Sequence, residues 1–113
     1  MSVIMTFRTQ GNVQELERRA AESPDRMRAI AERAKEHGLI AHRFYGTDDG
    51  DIMVVDEWPD PQSFQAFFEQ MQPEIGPLME EVGVSGEPEV KFWRKLETRD
   101  EVGWTEQTAS AAS

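Results

Sequence analysis

The sequence of 113 residues contains no cysteine, only two histidines and one tyrosine, and no long apolar run. Without cysteine, the chain cannot form a disulfide, a thiolate nucleophile or a cysteine-ligated metal site. No apolar stretch approaches the roughly 18 residues that cross a bilayer. The first residues lack the charged and apolar regions of a signal peptide. We therefore expect a cytoplasmic protein without a membrane partner.

Positive charge is also scarce. The chain has 12 Lys and Arg residues against 22 Asp and Glu residues, which gives a net charge of -10. Such a surface repels phosphate backbones and anionic lipids on average. The basic residues are scattered among acids instead of forming a patch, so nucleic-acid binding is not expected.

Alternating apolar residues and turn signals predict four strands and two interrupted helices. Asn12 caps the first helix, Ser23-Pro24 interrupts it and Gly38 ends it. The second helix begins at Asp60-Pro61 and is interrupted at Pro73. Strands are expected over residues 3–9, 39–46, 52–58 and 90–96. The order βαββαβ predicts an α+β, ferredoxin-like four-stranded antiparallel sheet over residues 1–97, followed by a flexible tail over 98–113.

The predicted sheet has more apolar residues than one covered face requires. In the third strand Ile52 and Val54 point one way while Met53 and Val55 point the other, so alternation is not clean. The chain has no third layer for the second face. We therefore expect a homodimer through the open sheet face. The alternative is that these few apolar residues are simply exposed.

The run Asp56-Glu57-Trp58 and the helix Pro-Gln-Ser-Phe-Gln-Ala-Phe-Phe over 61–68 resemble the dimeric α+β barrel superfamily. The similarity is to its antibiotic-biosynthesis-monooxygenase-like branch, over about residues 2–97. It implies a barrel formed by two sheets across a dimer, with a pocket between sheet and helices in each subunit. Such proteins include cofactor-free monooxygenases of phenols, haem-degrading enzymes, isomerases and proteins without known activity. The haem-degrading pattern is missing here, because the first strand has no asparagine and residues 61–82 have no histidine.

His42 is the side chain best suited to move a proton, because its charge changes near neutral pH. It shares a strand face with Ile40 and Phe44. We interpret it as a general base, with Trp58 or Tyr45 orienting a phenolic substrate. The alternative is a structural histidine bonded to a backbone carbonyl.

Aromatic and methionine side chains are the main indication of a ligand. Flat apolar ligands favour such walls, although the same stripes can equally fill a closed core. The candidate ligand-binding residues are Phe7, Met27, Phe44, Phe64, Phe67, Phe68 and Met71.

Other chemistries have weak support in the sequence. Asp48, Asp49 and Asp51 lie in a turn whose spacing lacks the remaining ligands of a calcium loop. A strand-end acid, Asp56 or Glu57, is expected to pair with Arg8, Arg43 or Arg94. His37 is expected to stabilise a helix end. We expect neither a metal nor a cofactor.

Two functions remain open from the sequence. One is a homodimer that binds a flat apolar small molecule, with cofactor-independent oxidation of phenols or quinols. The other is a non-enzymatic binding or stress-related dimer whose helix–sheet gap is filled. A pocket of about 300 Å³ or more that contains His42 would favour the first. The lone Trp104 in the tail is a further candidate for a contact with a partner.

Overall fold

A computed structural model describes residues 1–103 of the chain, so residues 104–113 of the predicted tail, with Trp104, lie outside the described part. The elements follow the predicted order, and each interrupted helix is a pair of helices. The strands are β1 (Val3–Gln10), β2 (Ala41–Gly46), β3 (Asp51–Trp58) and β4 (Glu89–Trp93). The helices are α1 (Val13–Glu22), α2 (Pro24–Glu36), α3 (Pro61–Gln70) and α4 (Gln72–Glu81).

The helix boundaries follow from the caps that the sequence predicts. The Asn12 side chain accepts a hydrogen bond from the Glu15 amide and begins α1, and Asp60 accepts one from the Ser63 amide and begins α3. Pro24 occupies the first position of α2, where its missing N–H costs nothing. Gly38 has φ of 105°, the left-handed conformation that glycine adopts without penalty after a helix end.

The sheet has the strand order β2-β3-β1-β4 with every neighbouring pair antiparallel. This is the ferredoxin-like arrangement that the sequence predicts. Residues paired directly across strands share one face of a sheet. The register pairs His42 with Asp56, and Asp56 with Met5. These side chains therefore lie together on the face that the helices cover.

The core lies between the sheet and the second pair of helices. Trp58 is completely buried and packs against Phe64 and Phe67, with ring centroids 5.8 and 5.6 Å away. In contrast, α1 has no buried residue and α2 has only Ala34. The first pair of helices therefore covers the sheet without filling the space beneath it.

The other face of the sheet has no covering element among the described residues. Ile4, Trp93, Val55, Met53 and Tyr45 belong to this open face, as the strand pairings place them. Trp93 and Tyr45 are 48% and 46% exposed. Polar groups lie between them: Thr6 accepts a hydrogen bond from Trp93, and the Lys91 ammonium is 4.9 Å from the Trp93 ring centroid. The open face is therefore apolar in patches and polar between them.

Candidate functional site

A cavity of about 130 Å³ lies between the sheet and the helices. Its walls come from β1 and β3 below and from all four helices above. Nearly all of the lining side chains are apolar, and the polar ones are Thr9, His42 and Asp56. His42 and Asp56 form one pair across neighbouring strands, whereas Thr9 lies four residues along β1 from Met5, the residue paired with Asp56. The cavity is therefore apolar with one concentrated polar end.

The part of the cavity wall most exposed to solvent, called the mouth below, lies on β2, an edge strand. His42 and Phe44 are the two exposed residues among those that line the cavity, and all the others are buried or half-buried. The two rings pack edge to face with centroids 5.2 Å apart. The imidazole is therefore one of the two groups of the cavity wall that solvent reaches most readily.

Asp56 joins His42 to the core. Its Oδ1 lies 2.7 Å from Nδ1 of His42, and its Oδ2 accepts a hydrogen bond of 3.0 Å from the indole Nε1 of Trp58. Asp56 is only 5% exposed, and each of its oxygens has a partner. A buried carboxylate is costly unless it is hydrogen-bonded in this way. The three side chains form one chain from the core to the cavity mouth.

The expected pairing of Asp56 with an arginine is not what the structure contains. Arg8 and Arg43 project from the open face, because alternation along a strand separates them from Asp56. Arg8 instead bonds Glu89, and Arg43 donates to the Tyr45 hydroxyl at 3.1 Å. The interaction of Asp56 with His42 is the functional feature that reasoning from single residues missed.

Two of the three predicted catalytic residues do not reach the cavity. Tyr45 lies on the open face, since it is an odd number of positions from His42 along β2. Trp58 faces the helices but is fully buried and is not part of the cavity wall. Its indole N–H donates to Asp56. His42 is the predicted catalytic residue that does line the cavity.

Most of the predicted ligand-binding residues do line the cavity. Met71 is the exception, because it is 4% exposed in the core and forms no part of the wall. Phe64 and Phe68 stack at 5.3 Å and form part of one wall. The predicted residues that line the cavity are Phe7, Met27, Phe44, Phe64, Phe67 and Phe68.

The helices above the cavity are held together by ion pairs. Arg26 of α2 reaches Glu81 of α4 through both of its terminal nitrogens, at 2.7 and 3.1 Å. Arg19 of α1 contacts the same carboxylate at 3.2 Å. The hydrogen bonds from Arg26 lower the pKa of Glu81, whereas desolvation of the Glu81 carboxylate acts in the opposite direction. These contacts tie the loosely packed pair α1–α2 to α4.

Potential metal ligands are not clustered among the described residues. Among residues 1–103, no group of three or more His, Cys, Asp or Glu side chains is arranged to hold a metal ion. His37 caps the end of α2, and its Nε2 lies 2.6 Å from the Gln70 side-chain oxygen. In the same part of the chain, the helices are too short or too polar to cross a bilayer.

Structural comparison finds solved proteins with the same fold. An antibiotic biosynthesis monooxygenase has a TM-score of 0.59 and 12% identity, over 86% of this chain and 100% of that chain. The cofactor-independent oxygenase SnoaB from Streptomyces nogalater has a TM-score of 0.57 and 17% identity, over 88% and 98%. A dimeric ferredoxin-like protein from an uncultured marine organism has a TM-score of 0.61 and 17% identity, over 89% and 93%.

These likenesses confirm the predicted fold and its resemblance to monooxygenase-like proteins. At such identities they establish architecture and leave the reaction open. No protein-family model and no curated protein matches the sequence.

Proposed function

We propose that this protein binds a flat, mostly apolar small molecule in the helix–sheet cavity and oxidises phenolic ligands with molecular oxygen. The observation that carries the proposal is the apolar cavity with His42 and Asp56 at its one concentrated polar end. Apolar walls with a few convergent polar groups are typical of small-molecule sites. The cofactor-independent oxygenase SnoaB, which shares the fold, supports this direction.

The cavity volume limits the ligand. The observed 130 Å³ is below the roughly 300 Å³ of ordinary drug-sized sites. It is close to an engineered apolar cavity of about 150 Å³ that binds benzene. A single aromatic ring therefore fits with the helices in place. A polycyclic ligand requires α1 and α2 to move outward, which is inexpensive for helices that bury only Ala34.

The proposed chemistry needs neither a metal nor an organic cofactor. His42 takes the hydroxyl proton, and the phenolate gives electrons to oxygen. Oxygen then bonds to the ring carbon opposite the hydroxyl, and loss of water leaves a quinone. In sum, a phenol and O₂ yield a quinone and H₂O, with all four electrons supplied by the substrate. Phe44, whose ring packs edge to face with the imidazole, takes the orienting role predicted for Tyr45 or Trp58.

The small volume also favours a second function. A cavity this size can be a packing gap in a non-enzymatic, binding or stress-related dimer. The exposure of His42 and Phe44 argues against a sealed gap, because the wall of a closed internal void is buried.

We propose further that two copies associate through the open sheet face. Ile4, Val55 and Trp93 would be covered by the same face of a second copy, a self-complementary arrangement that a two-fold dimer requires. Arg8, Glu89 and Glu57 lie on the same face and supply charges of both signs. The dimeric ferredoxin-like protein of the same fold supports this assembly.

The cavity and the chemistry are tested together with phenol and 1-naphthol as probes. Binding is measured by calorimetry and oxidation by oxygen uptake, for the wild type, Ala31→Leu and His42→Ala. Ala31 lines the cavity, so leucine there fills it and is expected to weaken binding at least about tenfold, the effect of roughly 1.4 kcal/mol. His42→Ala should still bind both probes through the apolar walls, with lower affinity because the hydrogen bond from the hydroxyl to the imidazole is lost, and it should lose oxygen uptake.

Each result has a defined meaning. Equal affinity in Ala31→Leu would exclude the cavity as the binding site. Undiminished oxygen uptake in His42→Ala would exclude the imidazole as the base. If the wild type binds the probes but consumes no oxygen with either of them, the protein is a non-enzymatic binding protein.

A further inference from the structure

We infer that Asp56, held by Trp58, positions His42 by fixing which nitrogen of its ring carries the proton. This inference rests on the proposed role of His42 as the base. It assigns to Asp56 and Trp58 a role that acts through the imidazole, without contact between Trp58 and the substrate.

The hydrogen bonds determine the tautomer. The indole Nε1–H of Trp58 can only donate, so Oδ2 of Asp56 is an acceptor. An ionised carboxylate has no proton to give, so the 2.7 Å contact at Oδ1 requires a proton on Nδ1 of His42. In a neutral ring the other nitrogen, Nε2, then carries the free lone pair. No hydrogen-bond partner of Nε2 is found among residues 1–103, which leaves it for a ligand.

The core fixes the carboxylate itself. Trp58 and Asp56 are two residues apart on β3, so both project from the helix-facing side of the sheet. The indole is fully buried between Phe64 and Phe67 of α3 and cannot turn away from Asp56. The orientation of the imidazole is therefore set from inside the core, although 35% of the His42 side chain is exposed.

This arrangement has a consequence for the ligand. A lone pair on Nε2 accepts a proton or a hydrogen bond, and it offers nothing to an acceptor. The site therefore takes hydroxyl-bearing aromatic molecules in preference to their methyl ethers, which have the same ring and no donor. Anisole is the matched comparison for phenol.

The experiment uses full-length protein with nitrogen-15 in its histidine rings, observed by NMR near neutral pH. A His37→Gln variant identifies which signals belong to His42, because the chain has two histidines. In the wild type we expect a protonated Nδ1 and an unprotonated Nε2. In Asp56→Asn the amide oxygen can accept from Trp58 while the amide nitrogen donates to Nδ1, which moves the proton to Nε2.

The rate should follow the tautomer. In Asp56→Asn we expect kcat for phenol oxidation to fall at least about 100-fold, the usual contribution of a general base. KM should change by a smaller factor than kcat, because the apolar part of the cavity wall is unaltered. Glu69→Gln, which removes an exposed carboxylate on α3, should retain the wild-type tautomer and rate.

The outcomes separate this inference from the proposed function. A wild type with the proton on Nε2, or an Asp56→Asn variant with unchanged ring signals, would overturn the positioning role. The wild-type spectrum decides the question even if Asp56→Asn does not fold. If no phenol is oxidised, the proposed reaction fails while the ring signals still establish or refute the role of Asp56.

Discussion

At the scale of single residues, the molecule depends on a carboxylate in an apolar setting. Among the described residues, Asp56 is the charged residue that is buried, and it lies beside the aromatic core. Its two oxygens are satisfied by groups with different tasks: Trp58 belongs to the core and His42 to the cavity mouth. Stability and the proposed chemistry therefore meet in one side chain.

The Trp58 indole should contribute to stability through both its volume and its N–H group. Trp58→Phe leaves a cavity and removes the donor to a buried oxygen of Asp56, and both effects are destabilising. We expect the free energy of unfolding to fall by roughly 2–4 kcal/mol. Urea titration followed by circular dichroism measures this change. A loss below about 0.5 kcal/mol would mean that the indole N–H and ring volume matter little.

The pairing of His42 with Asp56 was within reach of the sequence, but their hydrogen bond was not. The predicted turn over residues 47–51 leaves Gly46 opposite Ile52, and counting back pairs 42 with 56, as observed. Which charged group a carboxylate then contacts depends on side-chain rotamers. The sequence offered three arginines as partners, but alternation along the strands places Arg8 and Arg43 on the face opposite Asp56.

At the scale of the elements, the two pairs of helices differ in how they meet the sheet. The pair α3–α4 buries Phe64, Phe67 and Leu78, whereas α1–α2 buries only Ala34. Both pairs carry an apolar stripe at helical spacing in the sequence, although α3 and α4 are the more apolar pair. A stripe indicates which face of a helix is turned toward the sheet. It does not indicate whether that face touches the sheet or lies several ångströms above it. The stripes therefore did not reveal the size of the cavity, although seven of the predicted site residues line it.

The ion pairs of Glu81 should make the attachment of α1–α2 depend on pH. Because Arg26 lowers the pKa of Glu81, the stabilisation is complete above the ordinary value of 4.5 and is lost as pH falls through the lowered pKa. Glu81→Gln should therefore melt at a lower temperature than the wild type at pH 7. This difference should shrink as the pH is lowered from 7 to 3, because protonation of Glu81 removes the charge that glutamine lacks.

Thermal melts at the two pH values test this prediction. Glu80→Gln is the matched control, since Glu80 is the exposed neighbour on the same helix. We expect it to melt like the wild type at pH 7. An equal melting temperature for Glu81→Gln and the wild type at pH 7 would show that solvent screening cancels the ion pairs.

At the scale of the whole molecule, the two faces of the sheet have different roles. One face carries the core and the cavity, and the other is open among the described residues. The sequence predicted both the fold and the excess of apolar residues on the second face. The number of apolar residues does not decide what covers them, because part of any surface is apolar.

A charge at the centre of the open face should separate the proposed dimer. Val55 lies in the middle row of this face, between Arg43 and Thr6. Near a two-fold axis, Val55→Lys brings like charges together and buries a cation, so we expect a monomer at concentrations where the wild type is a dimer. Light scattering coupled to size-exclusion chromatography measures both masses.

Gln65→Lys on the exposed side of α3 adds the same charge away from the open face. It should retain the mass of the wild type. A wild type that remains monomeric at all concentrations would rule out the association, and a dimeric Val55→Lys variant would move the interface to another surface.

The polarity of the cavity at one end has a consequence for regiochemistry. A phenol whose hydroxyl meets His42 directs its opposite ring carbon toward Val54, Phe7 and the apolar walls beyond. Oxygen is itself apolar and partitions into such surroundings, whereas water does not. The new carbon–oxygen bond would then form at the far end of the ring from the imidazole, so a substituent at that position should block turnover while one beside the hydroxyl is tolerated.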